Sequence, residues 1–81
     1  MILEILSPDK TIYKGEVDSV TLPGELAPFQ ILNNHASLIS ALTKGKLSFS
    51  IDGDIKEIEI LNGFVEVNNN KIIVCIDTFK I

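Results

Sequence analysis

The strongest constraint on this chain is its rhythm: short apolar runs, many of them β-branched, broken by turn residues at close intervals. "LSFSI" alternates cleanly, so Leu47, Phe49 and Ile51 share one face of a strand while Ser48 and Ser50 take the other. "IEI" repeats the pattern, with Ile58 and Ile60 opposite Glu57 and Glu59. "IIVCI" is nearly continuous, as in a strand covered on both sides or placed at an interface; Ile72, Val74 and Ile76 share one side and Ile73 and Cys75 the other.

The punctuation is equally regular. "SPDK" puts Pro8 where a fixed φ favours a type I turn. Asp52-Gly53 and Asn62-Gly63 are strong hairpin signals, because Asp, Asn and Gly tolerate positive φ. "NNNK" at 68 to 71 reads the same way. Turns spaced by roughly 8 to 12 residues point to a sandwich or barrel of eight or nine strands. "ASLISAL" suits either a short helix or a strand, and no amphipathic helix of ten or more residues stands out.

At 81 residues the chain is expected to form one domain over residues 1–81. A domain this small needs a core of large side chains, and an apolar fraction of 46% supplies one. Cys75 is the sole cysteine, so there is no disulfide framework, which suits a reducing compartment. No signal peptide pattern and no membrane-spanning apolar run is present, and a soluble intracellular protein is expected. Seven lysines and no arginine face eleven acidic residues, a net charge of -4. Nucleic-acid binding needs a basic stripe to release counterions from phosphates, so that class is excluded, an oligonucleotide-binding barrel with it.

Catalytic chemistry is sparse. His35 and Cys75 carry no nucleophile signature, and mid-strand Cys75 reads as a buried, inert small hydrophobe. His and Cys ligands at zinc spacing are missing, "DGD" lacks the rest of a calcium loop, and "PGELA" has too few glycines for a phosphate cradle. His35 reads either as a turn residue whose ring bonds a nearby carbonyl, or as part of an exposed loop offering Asn33, Asn34 and His35 to a partner.

Three segments in order, "LEILSPDKTIYKGEVDSVTLPG", "FQILNNHASLISALTKGKL" and "NGFVEVNNNKIIVCIDT", together resemble the N-terminal domain of the epsilon subunit of bacterial and chloroplast F-type ATP synthases. The family patterns are "G-E-V-x-S-V-x-L-P-G", "G-x-L-P-G-H-A-P-L-x-T-x-L-x-x-G" and "G-G-F-x-E-V-x-x-N-x-V-T-V-L-A-D". The resemblance implies an all-β fold, a two-sheet β-sandwich of about ten short strands. It also implies a non-catalytic central-stalk subunit, without cofactor or metal, that joins the gamma subunit to the c-subunit ring and supports proton- or sodium-coupled ATP synthesis. The implied location is peripheral, on the cytoplasmic face of the inner membrane, touching the membrane only through the ring.

By position, the implied ring-facing loop is residues 25 to 35, with Glu25, Leu26, Ala27, Pro28, Phe29, Asn33, Asn34 and His35 as contacts. Ser7, His35 and Ser40 are the implied gamma contacts. Asn33-Asn34 stands where the family has Pro-Gly, and Asn34 is expected to adopt the positive φ of that glycine. The family's ring-facing acid falls at Pro28, leaving Glu25 as the nearest carboxylate; Ser37 replaces a proline. The family's two-helix C-terminal domain has no counterpart before the chain stops at "DTFKI", so neither the inhibitory arm nor ATP binding is expected. An alternative of another class is a biotinyl or lipoyl carrier domain, with Lys44 in "TKGK" as the modified lysine.

Overall fold

The computed structural model describes residues 1 to 78. It is all-β, with eight strands: β1 (Ile2–Leu6), β2 (Thr11–Glu16), β3 (Ser19–Pro23), β4 (Pro28–Ile31), β5 (Leu38–Leu42), β6 (Gly45–Ile51), β7 (Asp54–Asn68) and β8 (Lys71–Thr78). The ambiguous "ASLISAL" is therefore strand β5, and there is no helix among the described residues.

Hydrogen bonding runs continuously in the order β2-β1-β8-β7-β6-β3-β4, with β5 on β7. Continuity does not mean one flat sheet, because β7 serves two ladders in succession. Its first half, Asp54 to Ile60, pairs with β6. Its second half pairs with β8 on one side and β5 on the other. Beyond the corner the strands fold back, so that Tyr13 on β2 meets Phe49 on β6 with ring centroids 4.6 Å apart. One sheet is thus β2-β1-β8-β7-β5 and the other β7-β6-β3-β4, two layers of a sandwich.

Period-two alternation fills the space between the layers. Leu3, Ile5, Val65, Val67, Ile72, Val74 and Ile76 come from the first sheet, and Val20, Leu22, Ile31, Leu47, Phe49 and Ile60 from the second. No polar or charged residue is buried among the described residues. The core is held by burial alone, and the backbone ladders satisfy its polar groups.

The turns follow their local chemistry at three of four expected places. Asp52 and Gly53 have φ of 49° and 87°, and Asn69 and Asn70 have 51° and 61°; both pairs suit the primed two-residue turns that match strand twist. Ser7 N–H donates to the Lys10 carbonyl at 2.9 Å, closing the turn around Pro8.

Asn62-Gly63 is the exception. No hairpin forms there: both residues lie inside β7, and neither has positive φ. The β7–β8 register shifts between Ile60 and Asn62, which bends β7 from one sheet into the other. Gly63 is demanded by close approach, since a Cβ there would strike the carbonyl oxygen of Cys75. One long bent strand replaces two short ones, and the count is eight, within the eight or nine read from the turns and below the ten or so implied by the resemblance.

Replacing Gly63 with alanine should therefore destabilise the domain by about 2 kcal/mol through backbone displacement of β8. Urea unfolding of Gly63→Ala measures it; Gly53→Ala, with open space around the new methyl but φ of 87°, should lose only the left-handed penalty of about 1 kcal/mol.

Candidate partner-docking surfaces

Call the Met1 end of β1 the lower end of the sandwich and the Ser7 end the upper. The segment from residue 25 to 35 is not one loop. Glu25, Leu26 and Ala27 form the upper tip of the β3–β4 hairpin, whose register pairs Pro23 with Pro28. Pro28 and Phe29 begin β4, an edge strand, where proline at the first position costs no ladder bond. Phe29 packs against the core from its half-buried position. Asn33, Asn34 and His35 follow beyond the far end of β4, at the lower end. Four residues of strand put about 13 Å between the two polar groups. Leu26 at the tip is fully exposed.

The lower loop is tied down on both sides. Asn34 has φ of 62°, the left-handed conformation expected where the family has glycine. Its N–H donates to Asn70 Oδ1 at 2.9 Å, and Asn33 Oδ1 accepts from the Met1 amine at 3.3 Å. The same amine reaches Glu16 at 3.2 Å. Ser37 contributes its hydroxyl, whose Oγ donates to Asn68 Oδ1 at 3.2 Å. His35 shows both features weighed for it, since its Nδ1 lies 2.7 Å from the Ala36 carbonyl while the side chain stays exposed.

Ser7, His35 and Ser40 do not converge. Ser7 sits at the upper end of β1, where its Oγ contacts the Lys10 carbonyl at 3.2 Å. His35 is at the lower end. Ser40 lies on β5 opposite Val65, three strands away from β1. Any surface holding all three spans the first sheet in both directions.

That sheet has a feature the residue-by-residue reading did not pick out. Its outer face carries an apolar band: Ile39 is 76% exposed and Phe64 51%, and they are joined by Ala41, Ile73, Cys75 and Leu6. Register puts Ala41, Phe64, Cys75 and Leu6 side by side on β5, β7, β8 and β1. Cys75 is thus half-buried on the outer face and not in the core, because alternation along β8 gives the interior to Ile72, Val74 and Ile76. A shallow hollow of about 380 Å³ opens here, lined by Leu6, Phe64, Cys75 and Ile76 together with Asn62 and Asp77 at the upper end. The opposite face, with Ser19, Thr21, Ser48, Ser50 and Gln30, is more polar, though Ile55 opposite Ser50 is 69% exposed. The alternation of "GFVEV" and "IIVCI" contained this asymmetry, but only the pairing of β5 with β7 shows its extent.

Among the described residues no three potential ligands gather to hold a metal ion. His35 and Cys75 lie towards opposite ends of the sheet, so they form no nucleophile pair. Lys44 does not sit at a hairpin tip: β5 and β6, which flank it, are not paired with each other. The carrier-domain alternative needs such a tip and loses its geometric basis.

The whole chain, residues 1–81, matches the family described as the ATP synthase delta/epsilon chain beta-sandwich domain. The chain belongs to this family. Among curated relatives, the ATP synthase epsilon chain of Leptospira borgpetersenii is 40% identical over 75 residues, covering 93% of this chain and 59% of the relative. A chain in the structure of the Euglena gracilis mitochondrial ATP synthase OSCP, F1 and c-ring superposes with a TM-score of 0.84 at 27% identity, covering 99% of this chain and 51% of that one. A chain of the Tetrahymena thermophila mitochondrial ATP synthase central stalk and c-ring has the same fold, with a TM-score of 0.83 at 17% identity over 94% of this chain and 62% of that one. The epsilon-type chain described here spans a little under three fifths of the curated relatives it matches, 59% in the Leptospira case.

The lower loop yields a direct check on its turn chemistry. Asn34→Gly should leave stability within about 0.5 kcal/mol, whereas Asn34→Val, β-branched at positive φ, should cost about 2 kcal/mol. Denaturant melts of the two variants distinguish them.

Proposed function

We propose that this epsilon-type domain, residues 1–81, is a non-catalytic coupling element of the ATP synthase rotor, clamped between the gamma subunit and the c-ring. The observation that carries the reading is the apolar outer face running across β5, β7, β8 and β1. An interface that is permanent resembles a core cut in half, and a large exposed apolar face on a small domain calls for such cover. Ser7, at the upper border of this face, and His35, at its lower border, suit an extended gamma contact better than a single spot; Ser40, opposite buried Val65, lies on the other side of edge strand β5 and would join the contact only around that edge.

The ring contact falls to the upper end. Glu25, Leu26, Ala27, Pro28 and Phe29 form the tip and first residues of the β3–β4 hairpin, with Leu26 as an apolar anchor and Glu25 as the carboxylate. Asn33 and Asn34 belong in this reading to the gamma side, where they brace His35. Between the two contacts lies a close-packed sandwich without a buried polar group among the described residues, a body that deforms little under load. Coupling in proton- or sodium-driven ATP synthesis then needs no chemistry from this chain, only stiffness. Membrane association, at the cytoplasmic face, is through the ring.

The domain should co-elute with gamma on gel filtration. Phe64→Asp should abolish the complex without changing the thermal midpoint, because the side chain is already exposed. Leu26→Asp should keep the gamma complex but weaken attachment to ring-containing enzyme, read as reduced ATP-driven ion pumping. Absence of any wild-type complex with gamma would sink the reading.

A further inference from the structure

Glu66 is the carboxylate set in the middle of the apolar band on the outer face. Glu66 lies on β7 between Ile39 of β5 and Ile73 of β8, each its direct cross-strand neighbour. Phe64 precedes it on the same face. Its side chain stands between two shallow hollows, one of about 400 Å³ shared with Leu38 and Ile39, the other of about 250 Å³ shared with Lys71 and Ile73. Lys71 borders that second hollow, yet no ion pair within 4.0 Å joins it to Glu66, and Glu66 has no such partner among the described residues. The other carboxylates on this face are placed differently: Glu4 has Lys14 as its register neighbour on β2, and Asp77 lies at the upper end of β8 opposite Asn62, away from Ile39 and Ile73.

We infer that Glu66 selects a basic side chain on the partner that covers this face: an apolar surface of the gamma subunit carrying one arginine or lysine aligned between Ile39 and Ile73. The inference rests on the gamma reading above and adds the chemistry of the contact. Covering the face strips water from Glu66. A carboxylate desolvated without a counter-charge opposes docking, and one met by a cation favours it. Ile39 and Ile73 on either side exclude water from the pair, and the hollows beside Glu66 leave room for a long side chain to lie flat. A second copy of this chain fits poorly, because a two-fold contact over this face brings Glu66 towards its own equivalent, and each copy carries a net charge of -4. The carboxylate thus rejects wrong partners as well as holding the right one.

The test measures binding of the full chain to purified gamma by calorimetry or biolayer interferometry. Glu66→Gln should weaken binding about tenfold or more, mostly through faster dissociation, and Glu66→Lys further still. Glu59→Lys, on the polar outer face of the other sheet, should bind as wild type. Wild-type affinity should also fall more steeply with salt than that of Glu66→Gln. Glu66→Lys binding as tightly as wild type, while Phe64→Asp does not bind, overturns this inference and leaves the gamma reading standing. A wild type that does not bind gamma at all overturns the gamma reading itself. Sedimentation of the chain alone provides the remaining arm: a dimer dispersed by Phe64→Asp would assign the face to a second copy and overturn the proposed basic partner.

Discussion

Everything in this domain depends on β7 passing from one sheet into the other without a break. Its first half completes the β6-β3-β4 layer and its second half lies between β8 and β5. The register shift after Ile60 turns the strand, and Gly63 lets the backbone of β8 come close just beyond the turn. A sandwich joined by a shared strand differs from two sheets held only by side-chain packing. The hydrogen-bonded backbone itself carries strain across the corner, so displacement of one layer is felt by the other. Under the proposed rotor role, that continuity matters more than any single side chain.

Much of the fold was legible from the order of residues. Alternation located the strands because half-buried strands have few other solutions, and Asp52-Gly53 and Asn69-Asn70 turned where their positive φ was expected. Asn62-Gly63 shows the limit. A glycine that permits a tight turn and one that admits a neighbouring backbone look identical in sequence, and here the second demand was the real one. Residues 25 to 35 failed for a related reason. Pro28 reads as a loop residue, yet at the first position of an edge strand it is harmless. The segment's polar ends therefore lie at opposite ends of that strand.

The docking face was less legible than the fold. Ser7, His35 and Ser40 were found by resemblance, and the structure spreads them over the sheet. Glu66 gave no local sign of interest, because an acidic residue alternating with valines normally marks a solvated face. Only when β5 and β8 place Ile39 and Ile73 beside it does the carboxylate become conspicuous. Its meaning comes from cross-strand neighbours 27 and 7 positions away in the chain, which no window along the sequence brings together.

The parallel pairing of β1 with β8 bears on how the domain is made. Strand β1 finds its parallel neighbour only once β8, far along the chain, has been synthesised. Until then β1 and β2 are an isolated hairpin, marginal by itself, with Leu3 and Ile5 uncovered. Such long-range closure slows folding and extends the time that apolar edges stand open. A nascent chain of this kind is therefore a candidate for chaperone protection until β8 arrives.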